Sequence, residues 1–510
     1  MSSVARRFHD ETTHTPYSVR TSGHTLDWDN KPFPFKVYTD APAVPLPRDV
    51  DVPAVPTLQS LAAPAPPATR LTLRALTALL YYSAGVTKKK TYPGGGEVLF
   101  RAAASTGALY QTEVYVIAGE VEGLEPGLYH FCPGDFTLRR LRSGDVRAAV
   151  AGAAAEPALA RRAATLVLSA IYWRNTWKYQ ARGYRHLFWD SGTMLANALA
   201  VGGVLGLAPA LVTGFVDDEI NRLLGVDPER EAALELLALG PEGAPAAAPG
   251  ELPALAHDVM PLSSEDVDYP ALREIHRASG LATAAEVAAW RRGIAPPARE
   301  PRGPVIALPE PALESQPLGE AIQRRGSTRQ FGHAALSLPE LASALWAATR
   351  PVPADGPDGL VDLYVIVNAV DGIAPGAYAY WPGRGLESVR PGEFRREAAY
   401  LTLDQAIGGD AAATIFFLAP LDAILAAWGE RGYRLANLQA GVAGGRAYLA
   451  AYGTGFGASG LTFYDADVVR FFSPHAAGRD AIFVTALGRA GSTQSGMLIS
   501  NTIQSPPRRS

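Results

Sequence analysis

The sequence predicts an α+β protein made of two related halves. The first observation is an internal repeat. Arg182-Gly183-Tyr184-Arg185 and Arg431-Gly432-Tyr433-Arg434 lie 249 positions apart. The same offset superposes "GLEPGLYHF" (123–131) on "GIAPGAYAY" (372–380), and Tyr115-Val116-Ile117 on Tyr364-Val365-Ile366. One offset held over more than sixty residues marks an old duplication. The second observation is that helical and strand patterns do not strictly alternate, which argues against a doubly wound sheet. With 510 residues and 48% hydrophobic content, the chain can fill more than one core.

Read in order, residues 41 to 67 ("APAVPLPRDVDVPAVPTLQSLAAPAPP") are rich in Pro and Ala. They read as an extended arm or linker and not as a helix. "LTLRALTALLYYSAG" has helical spacing, and "EVYVIAG" and "LYHFCP" read as strands around a Pro126-Gly127 turn. "ATLVLSAIYW" is a buried strand, and "MLANALAVGGVLGLAP" is a helix rich in small residues, suited to close packing of one half on the other. "LVTGFV", "DDEINRLLG" and "ALELLALG" read as strand, helix and strand. The expected organisation is an arm (1–67), a first domain (68–250), a linker with a helix (251–312), a second domain (313–491) and a polar tail (492–510).

Composition removes several classes. A net charge of −4 and a pI near 6.2 argue against a polyanion binder, so no nucleic-acid partner is expected. The short Lys88-Lys89-Lys90 run reads as a solvated loop. Cys132 stands alone and the nine histidines are scattered, so neither a disulfide nor a metal centre is expected. The N-terminal residues lack an apolar h-region and no run of about 18 apolar residues occurs, which predicts no membrane association and a cytoplasmic location.

The repeat separates architecture from chemistry. Arg-Gly-Tyr-Arg occurs in both halves and reads as a structural turn into the long helix. Lys178 and Tyr179 occur in one half only, with Ala427 and Trp428 opposite; Asp190 faces Gln439, and Ser105 faces Ala354. A lysine beside large aromatics can lose pKa by desolvation, and a tyrosine can act as acid or base. The plain alternative is a snorkelling lysine and a core tyrosine. The second half carries "RRGSTRQF" (324–331), in which Arg325, Ser327 and Arg329 could cradle a phosphate; the alternative is a solvated helix end. A site between the halves would combine both sets.

Together these motifs resemble the flavin-dependent nitroreductase superfamily, and within it the SagB-type dehydrogenases, or thiazoline and cyanobactin oxidases. "RRGSTRQF" resembles the Arg-Arg-Ser-x-Arg-x-Phe element that holds the FMN phosphate. "RAAASTGALYQTEVYVI", starting at Arg101, resembles the Arg-Thr-Ala-Pro-Ser-x-Gly segment that faces the flavin ring. "GLEPGLYHF" resembles its Gly-Leu-x-Pro-Gly-Leu-Tyr turn, and "WKYQARGYR" its Lys-Tyr motif, implicated in azoline oxidation. The chain departs from the family at Ala102-Ala103-Ala104-Ser105, where the proline is absent, and at Gly326.

The resemblance implies two tandem nitroreductase-like domains forming a pseudo-dimer within one chain. It implies FMN held by Arg325, Ser327 and Arg329 together with Arg101, Ser105 and Gly107. Gly488 and Arg489 would complete the phosphate side, and Ser459-Gly460 in "GASGLTF" would lie near the flavin edge. Lys178 and Tyr179 would be catalytic. The reciprocal interface lacks these groups, so one FMN per chain is expected. The implied reaction moves a hydride from a small-molecule or peptide substrate to flavin N5. An NAD(P)H-dependent nitro- or quinone reductase, and a non-catalytic docking module, are the rival readings. No GxGxxG unit follows a strand, so no dinucleotide domain is expected.

Overall fold

The computed structural model describes residues 3–51, 53–62, 68–91, 97–248, 250–296 and 299–491. The tail from 492 and residues 63–67 of the Pro-rich stretch lie outside the described residues.

Each half folds around one antiparallel seven-stranded sheet. In the first the spatial order is Ala43–Pro45, Thr137–Ser143, Gly127–Cys132, Thr112–Ala118, Arg162–Ile171, Glu231–Glu242 and Ala210–Val212. In the second it is Val305–Ile306, Gly385–Pro391, Gly376–Trp381, Asp362–Val367, Ala413–Ala419, Asp480–Gly488 and Gly457–Gly460. The two orders match strand for strand, as the repeat requires. The central strands Thr112–Ala118 and Ala413–Ala419 are buried at every residue, because helices cover one face and packed segments the other.

The halves meet along two long helices, Gly183–Val204 and Arg431–Thr454. Both are buried along most of their length, which their even apolar character permits. Small residues set the spacing. A Cβ at Gly441 would fall 2.6 Å from the Trp189 carbonyl oxygen, and one at Gly192 would fall 2.7 Å from that of Leu438.

The Arg-Gly-Tyr-Arg repeat is more than a turn. Arg182 and Arg185 of the first half hold Asp465 of the second, at 3.0 and 2.6 Å. Arg431 and Arg434 of the second hold Asp217 of the first, at 2.7 and 2.6 Å. Tyr184 and Tyr433 stack between the two clamps, interplanar angle 2°. Burial alone would raise both aspartates; the paired guanidiniums hold them below the ordinary value.

Two expectations fail. Residues 57–62 of the supposed extended arm form a helix, Thr57–Ala62, because Thr57 and Leu58 bury against the second half and Thr57 Oγ1 donates to Gln316 O at 2.7 Å. Lys88–Lys90 is part of the strand Val86–Thr91, not a solvated loop. Lys88 is buried because its ammonium reaches carbonyl oxygens of the other half.

Candidate functional site

A cavity of about 490 Å3 lies between the halves. The first half supplies Ser105, Gly107, Lys178, Tyr179 and Asp190; the second supplies Ser327, Arg329, Tyr448 and Gly460.

Lys178 and Tyr179 end the helix Tyr172–Tyr179, which stops where Gln180 adopts φ 50°. The N-terminal arm braces this helix: Trp177 Nε1 donates to Asp27 O at 2.8 Å, and Arg174 Nε to Phe33 O at 3.1 Å. Lys178 is half-buried, and burial, with Arg329 and Lys31 nearby, lowers its pKa. Burial and the charge of Asp190 raise Tyr179, so its hydroxyl stays protonated at neutral pH. That hydroxyl sits 3.1 Å from where a Cβ on Gly107 would be, and Gly107 has φ 63°. Both the close approach and the left-handed backbone call for glycine there.

Asp190 organises the facing loop. It accepts from Ser105 Oγ (2.6 Å), Thr106 N (2.8 Å), Thr106 Oγ1 (2.6 Å) and Gln111 Nε2 (2.7 Å). Burial outweighs these bonds and lifts its pKa to about 6. Ser105 therefore spends its proton on Asp190, while its oxygen accepts from Tyr110 N at 2.9 Å.

On the other wall, Ser327 Oγ lies 3.3 Å from Tyr448 OH, which accepts from Gly460 N at 2.5 Å. Arg329 is exposed at the rim and makes no ion pair among the described residues. It is therefore available for an anionic ligand.

Five of the expected residues do not line this cavity. Arg325 is buried and donates to the carbonyl oxygens of Arg101, Ala102 and Ala103 at 2.9, 2.8 and 3.2 Å. Lys88 answers it from the first half, donating to the carbonyls of Arg324 and Arg325. This crossed pair fixes the "RRGSTRQF" loop against the loop bearing Ser105. Burial, then Arg325 and Arg324, lowers Lys88 to about 7. Arg101 is sandwiched between Phe35 and Tyr110 and bonds Pro34 O. Ser459 is fully buried, Gly488 packs against Phe331, and Arg489 pairs with Glu340 at 2.8 Å. The sequence reading gave no role to Lys88, Thr106 or Tyr448, and none to Asp190 beyond its contrast with Gln439. That contrast was the signal for Asp190; Lys88 carried none.

The reciprocal interface is closed. The loop counterpart to 104–107 is 353–356, and it bonds directly to the strand edge that corresponds to Gly460. Leu211 N donates to Pro353 O at 2.7 Å, and Asp355 N to Leu211 O at 3.1 Å. Asp355 also accepts from Thr213 N (2.7 Å), Gly214 N (3.0 Å) and Arg291 Nε (2.9 Å). The linker turn at Gly293 lies against Trp428, the counterpart of Tyr179.

The two sheets and their paired helices enclose a cavity between the halves, and sequence comparison identifies the family to which such a chain belongs. The Nitroreductase family profile matches residues 65–240 and 322–476, more than half of the chain, so the protein belongs to the nitroreductase family. A nitroreductase-type protein of Methanocaldococcus jannaschii is 31% identical over 171 residues, 33% of this chain and 81% of that one. The trifolitoxin-processing protein TfxB of Rhizobium leguminosarum bv. trifolii is 27% identical over 32% of this chain and 46% of its own length. The microcin B17-processing protein McbC of Escherichia coli is 27% identical over 29% of this chain and 52% of its own. A crystal structure of a nitroreductase-type protein from Anabaena variabilis superposes with TM-score 0.77 and 27% identity, covering 96% of this chain and all of that one. Both domains of the tandem are thus nitroreductase folds of the α+β class. Among the described residues no helix is long and apolar enough to cross a membrane.

Proposed function

We propose that the chain is an FMN-dependent dehydrogenase of the SagB type, acting on a small molecule or peptide, with an azoline ring in a modified peptide as the substrate class. The observation that carries this reading is the meeting of Lys178 and Tyr179 with Ser327 and Arg329 in one cavity between the halves. The peptide-processing relatives TfxB and McbC support the substrate class.

The residues present fit the cofactor. The volume lies in the ordinary range for ligand sites, about 300–1,000 Å3. Arg329 and Ser327 would hold the phosphate end, and Gly107 and Gly460 leave room for a flat ring. Bound FMN would supply a two-electron acceptor. Tyr179, kept protonated, would donate a hydrogen bond from its hydroxyl. Lys178, with its lowered pKa, would take the substrate proton at Nζ. Asp190 holds Ser105 and Thr106 in place, and Trp189 and Phe483 contribute aromatic surface to the cavity wall.

The test is an absorbance spectrum with cofactor extraction, followed by turnover of an azoline peptide in air. About one FMN per chain is expected. A colourless protein, or FAD instead of FMN, would overturn the assignment, and two FMN per chain would overturn the single site. The match to the Methanocaldococcus relative favours NAD(P)H-dependent reduction of nitro compounds or quinones as the second reading. Rapid flavin reduction by NADPH in stopped flow, without azoline turnover, would select it.

A further inference from the structure

The second half contains a cavity that the first half fills. Its volume is about 550 Å3, and it shares no lining residue with the cavity described above. The corresponding space in the first half, between Arg101, Tyr110 and Met194, measures about 10 Å3. The repeat shows what emptied it. Tyr110 becomes Gly359 and Met194 becomes Ala443. Arg101 is held between two aromatic rings, whereas its counterpart Arg350 lies over Trp346 at 4.7 Å.

The same comparison shows an added charge. Asn197 of the first half ties down its loop, donating to Ala102 O at 3.3 Å and Tyr82 O at 3.0 Å. Its counterpart is Arg446, which donates to Arg350 O and to Pro351 O at 3.1 Å. A neutral amide is enough for that tie, so the guanidinium charge is not needed for it. Arg446 is only 6% exposed, and among the described residues its Nε has no partner and no carboxylate is bonded to it. Burial pulls its pKa down to about 10, with Asp358 opposing through space. The other two arginines of the cavity, Arg299 and Arg479, are already paired with Asp362. A buried cation without a bonded counter-ion is costly, and an anion docked beside it offsets that cost. The remaining wall is largely apolar and aromatic, including Leu360, Tyr380, Trp381 and Val442, with Thr349, Gln439 and the carboxylate of Asp358 as its polar members.

We propose that this cavity binds an organic oxyanion, a carboxylate carried on a flat, ring-bearing apolar body, with the carboxylate at Arg350 and Arg446 and the ring against the aromatic wall. The proposal is independent of the flavin reading.

Calorimetric titration of the full chain with 2-naphthoate tests it, with 2-naphthalenemethanol as the neutral control. Wild type should bind one naphthoate per chain, and at least tenfold more tightly than the alcohol. Arg446→Asn installs the first-half residue; it should weaken naphthoate at least tenfold and leave the alcohol unchanged. Ala443→Met should fill the space and abolish binding of both, with an unchanged melting temperature. Should Arg446→Asn fail to fold, Arg350→Met at a partly exposed position should show the same selective loss. Absence of naphthoate binding by wild type, equal affinity for acid and alcohol, or wild-type affinity in the charge variant that folds would overturn the proposal.

Discussion

The two interfaces between the halves are built on one helix pair and the same strand edges, yet one encloses a cavity and the other is sealed. At the first, loop 104–107 stands off from Gly460 and Leu461, and the space between holds Lys178, Tyr179 and Arg329. At the second, the corresponding loop hydrogen-bonds the corresponding edge, with Asp355 as the fastener. Duplication within one chain removes the symmetry that a homodimer imposes. Each half can then specialise: one interface keeps an open cavity, and the other holds the halves together. The clamps at Asp217 and Asp465 remain alike on both sides, because both interfaces need them.

The sharpest way to break this comparison is to remove the one-sided groups. Lys178→Ala and Tyr179→Phe should each lower turnover by about 10²–10⁴, the usual contribution of a positioned acid or base. Flavin content and melting temperature should not change, since the second half folds with Ala427 and Trp428 at these positions. The converse change, Ala427→Lys, should gain nothing, because linker residue Gly293 lies on Trp428. Steady-state kinetics with extracted-flavin analysis would decide; a lysine variant that loses its flavin would make Lys178 a binding residue.

The shared clamps come next. Asp217→Asn and Asp465→Asn each strand two buried guanidiniums, and breaking a buried pair costs about 3–5 kcal/mol. Urea midpoints should fall by similar amounts in both variants. A large loss in one and none in the other would refute the two-sided clamp.

A third comparison sets Glu235 against Phe483, which holds the same register position in the second sheet. Glu235 is fully buried; Ser191 Oγ donates to one carboxyl oxygen at 3.0 Å and the other has no partner among the described residues. Burial raises its pKa to about 8. The folded state therefore binds this proton more tightly than the unfolded state does, so its contribution is full below the ordinary value near 4.5 and is lost as pH rises toward 8. Glu235→Gln should flatten the fall in stability between pH 5 and pH 9, with a gain at the alkaline end of at most about 3–5 kcal/mol. Unchanged pH dependence would show that the carboxyl is already ionised in the fold.

The smallest expected effect is at the rim. Arg329→Ala should weaken FMN about tenfold to hundredfold, the value of one charge-assisted contact at about 1.5–3 kcal/mol. Unaltered affinity in a fluorescence titration would place the phosphate cradle elsewhere.

Much of the site was legible because duplication supplies its own control. Lys178, Tyr179 and the Asp190–Gln439 difference stood out by subtraction, and Ser327 and Arg329 by their charge and spacing. Arg325 was misleading for a physical reason. Its sequence neighbourhood is that of a ligand-binding arginine, but its side chain is drawn inward by three backbone carbonyls of the other half. The helix Thr57–Ala62 was hidden by its Pro-rich surroundings, since local propensity knows nothing of the groove it fills.

The sequence by itself determined the duplication and the α+β class, because a period of 249 and the alternation of apolar residues are countable along the chain. Only the tertiary structure decided which arginines face a cavity and which grip backbone, which interface is open, and where the run of three lysines goes. Those outcomes depend on contacts between residues hundreds of positions apart, such as Lys88 with Arg324 or Leu211 with Pro353. A contact of that kind leaves no pattern in either segment, since each side chain or carbonyl is ordinary until its partner arrives.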